Sequence, residues 1–179
     1  MLYKIRNIVE TSTLLLIYYA LIQSHLDYGI LVWGGAPQYL IDKLLRLQKK
    51  AIRIIARKNR FTSCRPLFRE FQILTLPSLY ILASSCYAKK LIQSHPNTDN
   101  SPQTRTVNEI HSHNTRQQNN IFLPNLSNNK RKSNTSFNCS VIYNKLPRHL
   151  KEISNLKQFR VATKQYLIET TLYNTQELQ

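Results

Sequence analysis

The chain has 179 residues, 42% of them hydrophobic, and sets 25 Lys and Arg against 9 Asp and Glu, a formal charge of +16. This length and apolar content suit one core-forming domain with or without an appendage, and the charge excess favours a polyanionic partner, either nucleic acid or an acidic membrane face. The three glycines, Gly29, Gly34 and Gly35, exclude a Gly-rich phosphate loop of the Walker or Rossmann type and argue against a sheet-rich fold full of tight turns.

Chain order begins with "LYKIRNIVE", too short and too charged for the apolar core of a signal peptide. From Thr13 to Trp33 apolar residues fall on every side, which predicts a central core helix or a membrane span, ended by Gly34 and Gly35. Gln23, His25 and Asp27 lie near its middle. An aspartate at mid-bilayer depth costs about 2.5–3.5 kcal/mol, so a buried helix with one polar strip is expected, and no membrane span. Ser24, His25 and Asp27 suggest a hydrolytic site at first sight. On a helix, however, positions two apart point to nearly opposite sides, so His25 and Asp27 cannot pair, whereas Gln23 or Ser24 can meet Asp27. Adjacent residues on one helix do not supply a nucleophile, a base and a group orienting that base. The expectation is that these polar groups are satisfied by neighbouring helices.

The next segment, "QYLIDKLLRLQKKAIRIIARKNR", carries two periodic stripes. Ile41, Leu44, Leu45, Gln48, Ile52 and Ile55 recur at helical spacing. Arg46, Lys49, Lys50, Arg53, Arg57 and Arg60 recur on a different face. That predicts an amphipathic helix whose cationic stripe runs about 20 Å, long enough to follow several successive phosphates. Asp42 is the one acid in the segment. The i,i+4 ion pairs that usually neutralise a solvated basic face are therefore missing.

Thr62 or Ser63 is then expected to cap a short helix opened by Pro66 and holding Leu67, Phe68 and Phe71. Pro77 and Ser78 open a longer helix, expected to end at Lys89 and Lys90. Between residues 94 and 136 the chain turns to Asn, Ser, Thr and Gln, which reads as linker with one short ordered piece, Asn120 to Leu126. His111 and His113 stand two apart with no Cys or carboxylate at metal-ligand spacing, so no metal site is expected. Thr115 and Arg116, with Lys130, Arg131 and Lys132, read instead as phosphate contacts. Order returns with a short helix before Pro147 and another holding Leu156, Phe159, Val161, Ala162, Tyr166 and Leu167 opposite Lys157, Arg160 and Lys164; the tail after Thr171 is expected to fray. Cys64, Cys86 and Cys139 are odd in number, lack CxxC spacing, and suit reduced thiols in a nuclear or cytoplasmic protein. The expected fold is mostly α: a helical bundle over 1–93, a polar linker over 94–136 and a small helical C-terminal unit over 137–179.

The blocks "LIYYALIQSHLDYGILVWGG", "LLRLQKKAIRII", "CRPLFREFQILTLPSLYIL", "HSHNTR" and "YNKLPRHLKEISNLKQFRVATKQYL", in this order, resemble the C-terminal, thumb and post-thumb, region of the reverse transcriptase of non-LTR (LINE-type, jockey-like) retrotransposons. The resemblance implies a helical thumb that grips RNA, DNA or an RNA–DNA hybrid with the Arg46–Arg60 stripe, and a role in reverse transcription. It also implies a palm where adjacent aspartates and a third Asp hold two magnesium ions, but no two acids are adjacent anywhere in this chain. Two-metal phosphoryl transfer needs carboxylates clustered around ions about 3.5–4 Å apart. The chain therefore reads as a fragment that binds without catalysing, has no cofactor of its own, and partners nucleic acid and the missing palm. Two other readings stand beside it. One is a basic helical protein lying on an anionic membrane surface. The other is a hydrolase built on Ser24, His25 or His113, disfavoured because no Gly-rich nucleophile turn is present.

Overall fold

The computed structural model describes residues 2–94, 105–110, 119–125, 127 and 134–178. Helices dominate them, and an antiparallel bridge between Thr106 and Ile121 is the β-type pairing present.

Helix α1 spans Leu2–Ile5 and α2 spans Thr11–Tyr18. The helix expected to run unbroken from Thr13 to Trp33 is divided. After α2 comes a π-helical turn, Tyr19–Gln23, then α3, Ser24–Asp27, then a break, then α4, Ile30–Trp33. At the break Tyr28 is extended and Gly29 adopts φ +62°, a conformation that glycine takes without the Cβ clash. The Trp33 indole N–H closes the corner by donating to the Tyr28 carbonyl at 2.8 Å. Nor is the stretch a central core helix. Leu14, Tyr18 and Ile30 are buried, whereas Leu16, Tyr28 and Val32 are 69%, 85% and 81% exposed. A sequence apolar on all sides does not specify which side is covered, and here the neighbours cover one.

Helix α5, Gln38–Ile55, buries Ile41, Leu45, Gln48, Ala51, Ile52 and Ile55, the stripe expected from its period except that Leu44 stays partly exposed. Helix α6, Arg65–Glu70, starts with Pro66 in its first turn, but its N-cap is Cys64, without a side-chain cap, rather than Thr62 or Ser63. Thr62 and the backbone of Phe61 are tied to the Asn59 carboxamide instead. Helix α7, Leu76–Ser94, is the mast of the larger half. Thr75 prepares its start, its hydroxyl oxygen accepting from the Ser78 N–H at 3.3 Å. It does not stop at Lys89. That residue is buried, donates to the Lys151 carbonyl at 2.8 Å, and lies with its ammonium 5.5 Å from the Phe159 ring centroid.

Beyond α7 come α8 (Val107–Ile110), α9 (Thr135–Asn144), α10 (Arg148–Lys151), α11 (Leu156–Thr170) and a 3₁₀ turn, Thr175–Glu177. Asn134 and Asn155 cap α9 and α11 with their side-chain oxygens. Within the ordered piece around Asn120, Ile121 is buried and its backbone is held on both sides by the Asn144 carboxamide, at 2.7 and 2.8 Å.

Two apolar clusters result. The smaller gathers α1, α2, the C-terminal half of α5 and α6 around Tyr18, Ile52, Ile55 and Phe68. The larger joins α4, the start of α5, α7 and α9–α11 around Tyr80, Ile81, Tyr143, Phe159 and Leu167. The C-terminal helices thus share a core with α7. The tail expected to fray after Thr171 is packed: Leu172 and Leu178 are buried, the Thr75 hydroxyl donates to the Leu172 carbonyl at 2.5 Å, and Arg65 pairs with Glu177 at 3.3 Å. Two leucines six residues apart anchor it, too sparse a signal to stand out from its polar neighbours.

Gly34 lets α4 touch α7. A Cβ there would lie 2.7 Å from Cγ of Tyr80 and collide with the Ile30 carbonyl. Gly34→Ala is therefore expected to destabilise the fold by about 2–3 kcal/mol through overpacking, measured by urea denaturation. A loss below about 0.5 kcal/mol would mean that α4 moves aside freely.

Lys151 gives a pH signature. It donates to Asn120 Oδ1 and to the Asn144 carbonyl, both at 2.7 Å, and burial pushes its ammonium down to about 8. An unfolded lysine keeps its proton to about pH 10.4. Between pH 8 and 10 the unfolded chain thus binds more protons at this site, and the Lys151 contribution to stability rises with pH. Lys151→Met is expected to remove that rise. Urea midpoints of parent and variant at pH 7.5 and 9.5 test it, since the ionisation of other groups is common to both; parallel pH dependences would refute it.

Candidate nucleic-acid interface

The basic face of α5 follows from its sequence. Turning 100° per residue from the buried Ile41–Ile52 row brings Lys43, Arg46, Lys49, Lys50 and Arg53 round to one side, and Asp42 is the single acid there. Arg46 and Lys50 are exposed, while Lys49 and Arg53 are half-buried at the edge of the core. Lys43 extends the row one turn towards the N-terminus, a continuation visible in the i,i+3 spacing to Arg46 but not among the expected contacts.

The expected stripe is shorter than its sequence period implied. The helix ends at Ile55, and Arg57 turns into the left-handed region, φ +53°. Its guanidinium donates to the Val9 carbonyl at 3.0 Å, tying the α1–α2 corner to the end of α5. Arg60 lies in the loop, stacked on Phe61 with Cζ 4.7 Å from the ring centroid. Neither continues the α5 face. Arg53 is also engaged, its Nε–H donating to the Thr62 carbonyl at 2.8 Å, and Arg46 donates to the Asp42 carbonyl one turn back. The helical part from Arg46 to Arg53 reaches about 10 Å, half the expected length. Arg116, Lys130, Arg131 and Lys132, like His111 and His113, lie outside the described residues.

Two residues absent from the expectation join the face. Arg65 at the start of α6 and Tyr173 from the tail meet Lys49. The Lys49 ammonium sits 3.5 Å from the Tyr173 ring centroid and the Arg65 guanidinium carbon 4.8 Å from it, while Phe68 meets the ring edge-on. Burial lowers the Lys49 pKa, and the nearby Arg53 and Arg65 cations lower it further against the opposing pull of Cys64 and Asp42. Burial likewise raises the Tyr173 phenol. Cations gather here around an aromatic face, with Glu177 the acid paired to Arg65. A phosphate bridging Arg65, Arg53 and Lys49 would relieve their mutual repulsion. Local sequence carried no sign of this cluster, because it joins positions more than 100 residues apart.

No protein-family model matches the sequence, and no curated protein or solved structure is similar to it.

Gln23, Ser24 and Asp27 pair within the divided N-terminal stretch rather than with neighbouring helices, whereas Tyr18 also accepts from Gln48 of α5. The Gln23 amide donates to both Asp27 oxygens, at 3.1 and 3.2 Å, the Tyr18 hydroxyl donates to Gln23 Oε1, and the Ser24 hydroxyl donates to the Ala20 carbonyl. Ser24 Oγ lies 3.5 Å from His25 Nδ1. Among the described residues no group of three His, Cys, Asp or Glu could hold a metal ion, and no helix is long and apolar enough to cross a membrane. The three cysteines are free thiols whose pKa values burial raises. That keeps them protonated and weakly nucleophilic.

Proposed function

We propose that the chain is a non-catalytic, thumb-like nucleic-acid-binding unit, a fragment of a non-LTR retrotransposon reverse transcriptase without its palm. In this reading the α5 face from Lys43 to Arg53, with Arg65 beside it, holds the backbone of a template–primer hybrid through phosphate contacts. The observation that carries it is the absence of compensating acids. Among the described residues two ion pairs are formed, Arg65–Glu177 and Arg148–Glu152, and the α5 cations are in neither. Uncompensated cations on a rigid helix attract a polyanion, and contacts to phosphates carry no sequence information.

Titrating a labelled RNA–DNA hybrid with the purified chain, followed by fluorescence anisotropy across a salt series, tests this. With about three phosphates on the shortened face, log K is expected to fall against log salt with a slope of about −3. Absence of saturable binding at low salt would defeat the reading.

A second reading is favoured by one observation. Next to the cations, α5 leaves Leu40, Leu44 and Leu47 exposed, Leu47 at 64%. An apolar strip flanked by Lys43 and Lys50 is the pattern of a helix lying on an anionic bilayer. Co-sedimentation with phosphatidylserine vesicles but no affinity for the hybrid would select it.

A further inference from the structure

A groove of about 650 Å³ runs along α7, bounded by α11 on one side and by the π-turn and α3 on the other. It shares no residue with the α5 face. Its floor is mainly aliphatic: Leu74, Leu79, Leu82 and Ala83, with the half-buried Cys86 and Tyr87. One side carries Lys90 of α7 and Arg160 and Lys164 of α11; the other carries Tyr19, Gln23 and Asp27. All three cations are exposed and none forms an ion pair among the described residues. Asp27 is engaged by Gln23.

The geometry matches one kind of occupant. Leu79, Leu82, Ala83, Cys86 and Lys90 follow one face of α7 at i, i+3, i+4, i+7 and i+11, so the track is about 16 Å long, three helical turns, with Leu79 and Leu82 buried at its bottom and Ala83 and Cys86 half-buried along it. Ala83 and Cys86 are small, which permits a close approach of backbones. Helix α11 runs antiparallel to α7: Lys89 reaches the Lys151 carbonyl near one end and Thr75 the Leu172 carbonyl near the other. Arg160 and Lys164, one turn apart, therefore stand in a row beside the track, with Arg160 close enough to Cys86 for its charge to pull the thiol pKa down against burial. An aliphatic floor three turns long beside a row of unpaired cations complements a helix with leucine-like residues at i, i+3 and i+7 and carboxylates along one flank.

We propose that the α7–α11 groove is a docking site for an acidic amphipathic helix of another protein. Among the described helices, a second copy of this chain does not supply such a helix. Its 9 acids are scattered through the sequence, with Asp42 alone on α5 and Glu169 alone on α11. Single-stranded nucleic acid suits the groove less well, because bases stack on aromatic faces and Tyr19 and Tyr87 are two rings in a mainly aliphatic lining.

The test uses the full chain and two fluorescein-labelled model helices of about 16 residues. Both carry leucines at i, i+3, i+4 and i+7. One has glutamates along the adjoining flank and the other lysines. The glutamate helix is expected to bind saturably and to slow alkylation of Cys86 about fivefold or more, the lysine helix to do neither; Cys64 and Cys139 are buried and serve as internal controls. Arg160→Glu combined with Lys164→Glu is expected to weaken glutamate-helix binding about tenfold or more with the helical circular-dichroism spectrum unchanged. Ala83→Trp, which fills the floor without altering charge, is expected to weaken it comparably. Equal binding of both helices, or binding indifferent to both variants, would overturn the proposal. So would protection of Cys86 by an oligouridylate and not by the glutamate helix, which would assign the groove to nucleic acid.

Discussion

Gln48→Leu is expected to destabilise the protein by about 3–5 kcal/mol, although it places a good helix former on the buried face of an amphipathic helix. Gln48 is 2% exposed, and its carboxamide is fully used. Nε2 donates to the Tyr18 hydroxyl and to the Leu74 carbonyl, and Oε1 accepts from the Leu76 N–H, each at 2.9 Å. The side chain thereby bridges the two apolar clusters: Tyr18 belongs to the smaller, Leu74 and Leu76 to the larger. It also satisfies the backbone of the non-helical step between α6 and α7, which has no ladder or turn partner for those two groups. Leucine would leave a buried carbonyl and a buried N–H without partners, at about 1–3 kcal/mol each, and remove one hydrogen bond from a phenol whose burial already raises its pKa. Gln48→Glu does not rescue the site, because a carboxylate lacks both donors. Equilibrium unfolding in urea, followed by far-UV circular dichroism, reads the difference directly. A change under about 1 kcal/mol would show that water or a rearranged Tyr18 replaces the amide.

The second large effect concerns binding. Neutralising Arg46 and Lys50 together, as Arg46→Gln with Lys50→Gln, is expected to lower affinity for an RNA–DNA hybrid about 50- to 100-fold at 0.1 M salt and to flatten the salt slope by about 2. Each phosphate contact contributes close to tenfold at that ionic strength through counterion release. These two side chains are exposed, and among the described residues the one bond either makes, from Arg46 to the Asp42 carbonyl, lies within the helix. The fold should therefore be untouched. Arg53 and Arg57 are poor choices for such a test. They hold the Thr62 and Val9 carbonyls, and their loss would lower stability and affinity together. Unchanged affinity in the double variant, with the melting temperature unchanged, would remove the α5 face from any binding role.

What was legible in the sequence is what a single helix dictates alone. The 3.6-residue period of α5 placed its buried row correctly, including the polar Gln48, apart from Leu44, and the helix before Pro147 and the one opened by Leu156 lie where expected, though the short turn Arg148–Lys151 between them does not show in the sequence. Failures came where the deciding contact was distant or the pattern had no face. The stretch from Thr13 to Trp33 carries no asymmetry to show which residues pack, and its corner depends on Gly29, whose left-handed backbone sequence alone does not announce. Arg57 takes a left-handed conformation usually left to glycine or asparagine, stabilised by its reach to Val9, 48 residues away. The meeting of Lys49, Arg65 and Tyr173 required the whole fold.

The same long reach bears on how quickly the chain folds. Bundles of helices with short connections fold in microseconds to milliseconds because their contacts are local. Here the step before α7 is closed by Thr75 on Leu172, the end of α6 by Arg69 on Thr171, and its start by Arg65 on Glu177, separations of 97, 102 and 112 residues. Each such closure meets the entropy of a long loop before any burial rewards it. A protein this helical should therefore form its helices early and its tertiary structure late, with a lag between the recovery of far-UV and near-UV dichroism. That order places the folding of a mostly helical chain on the timescale of mixed or β-rich domains.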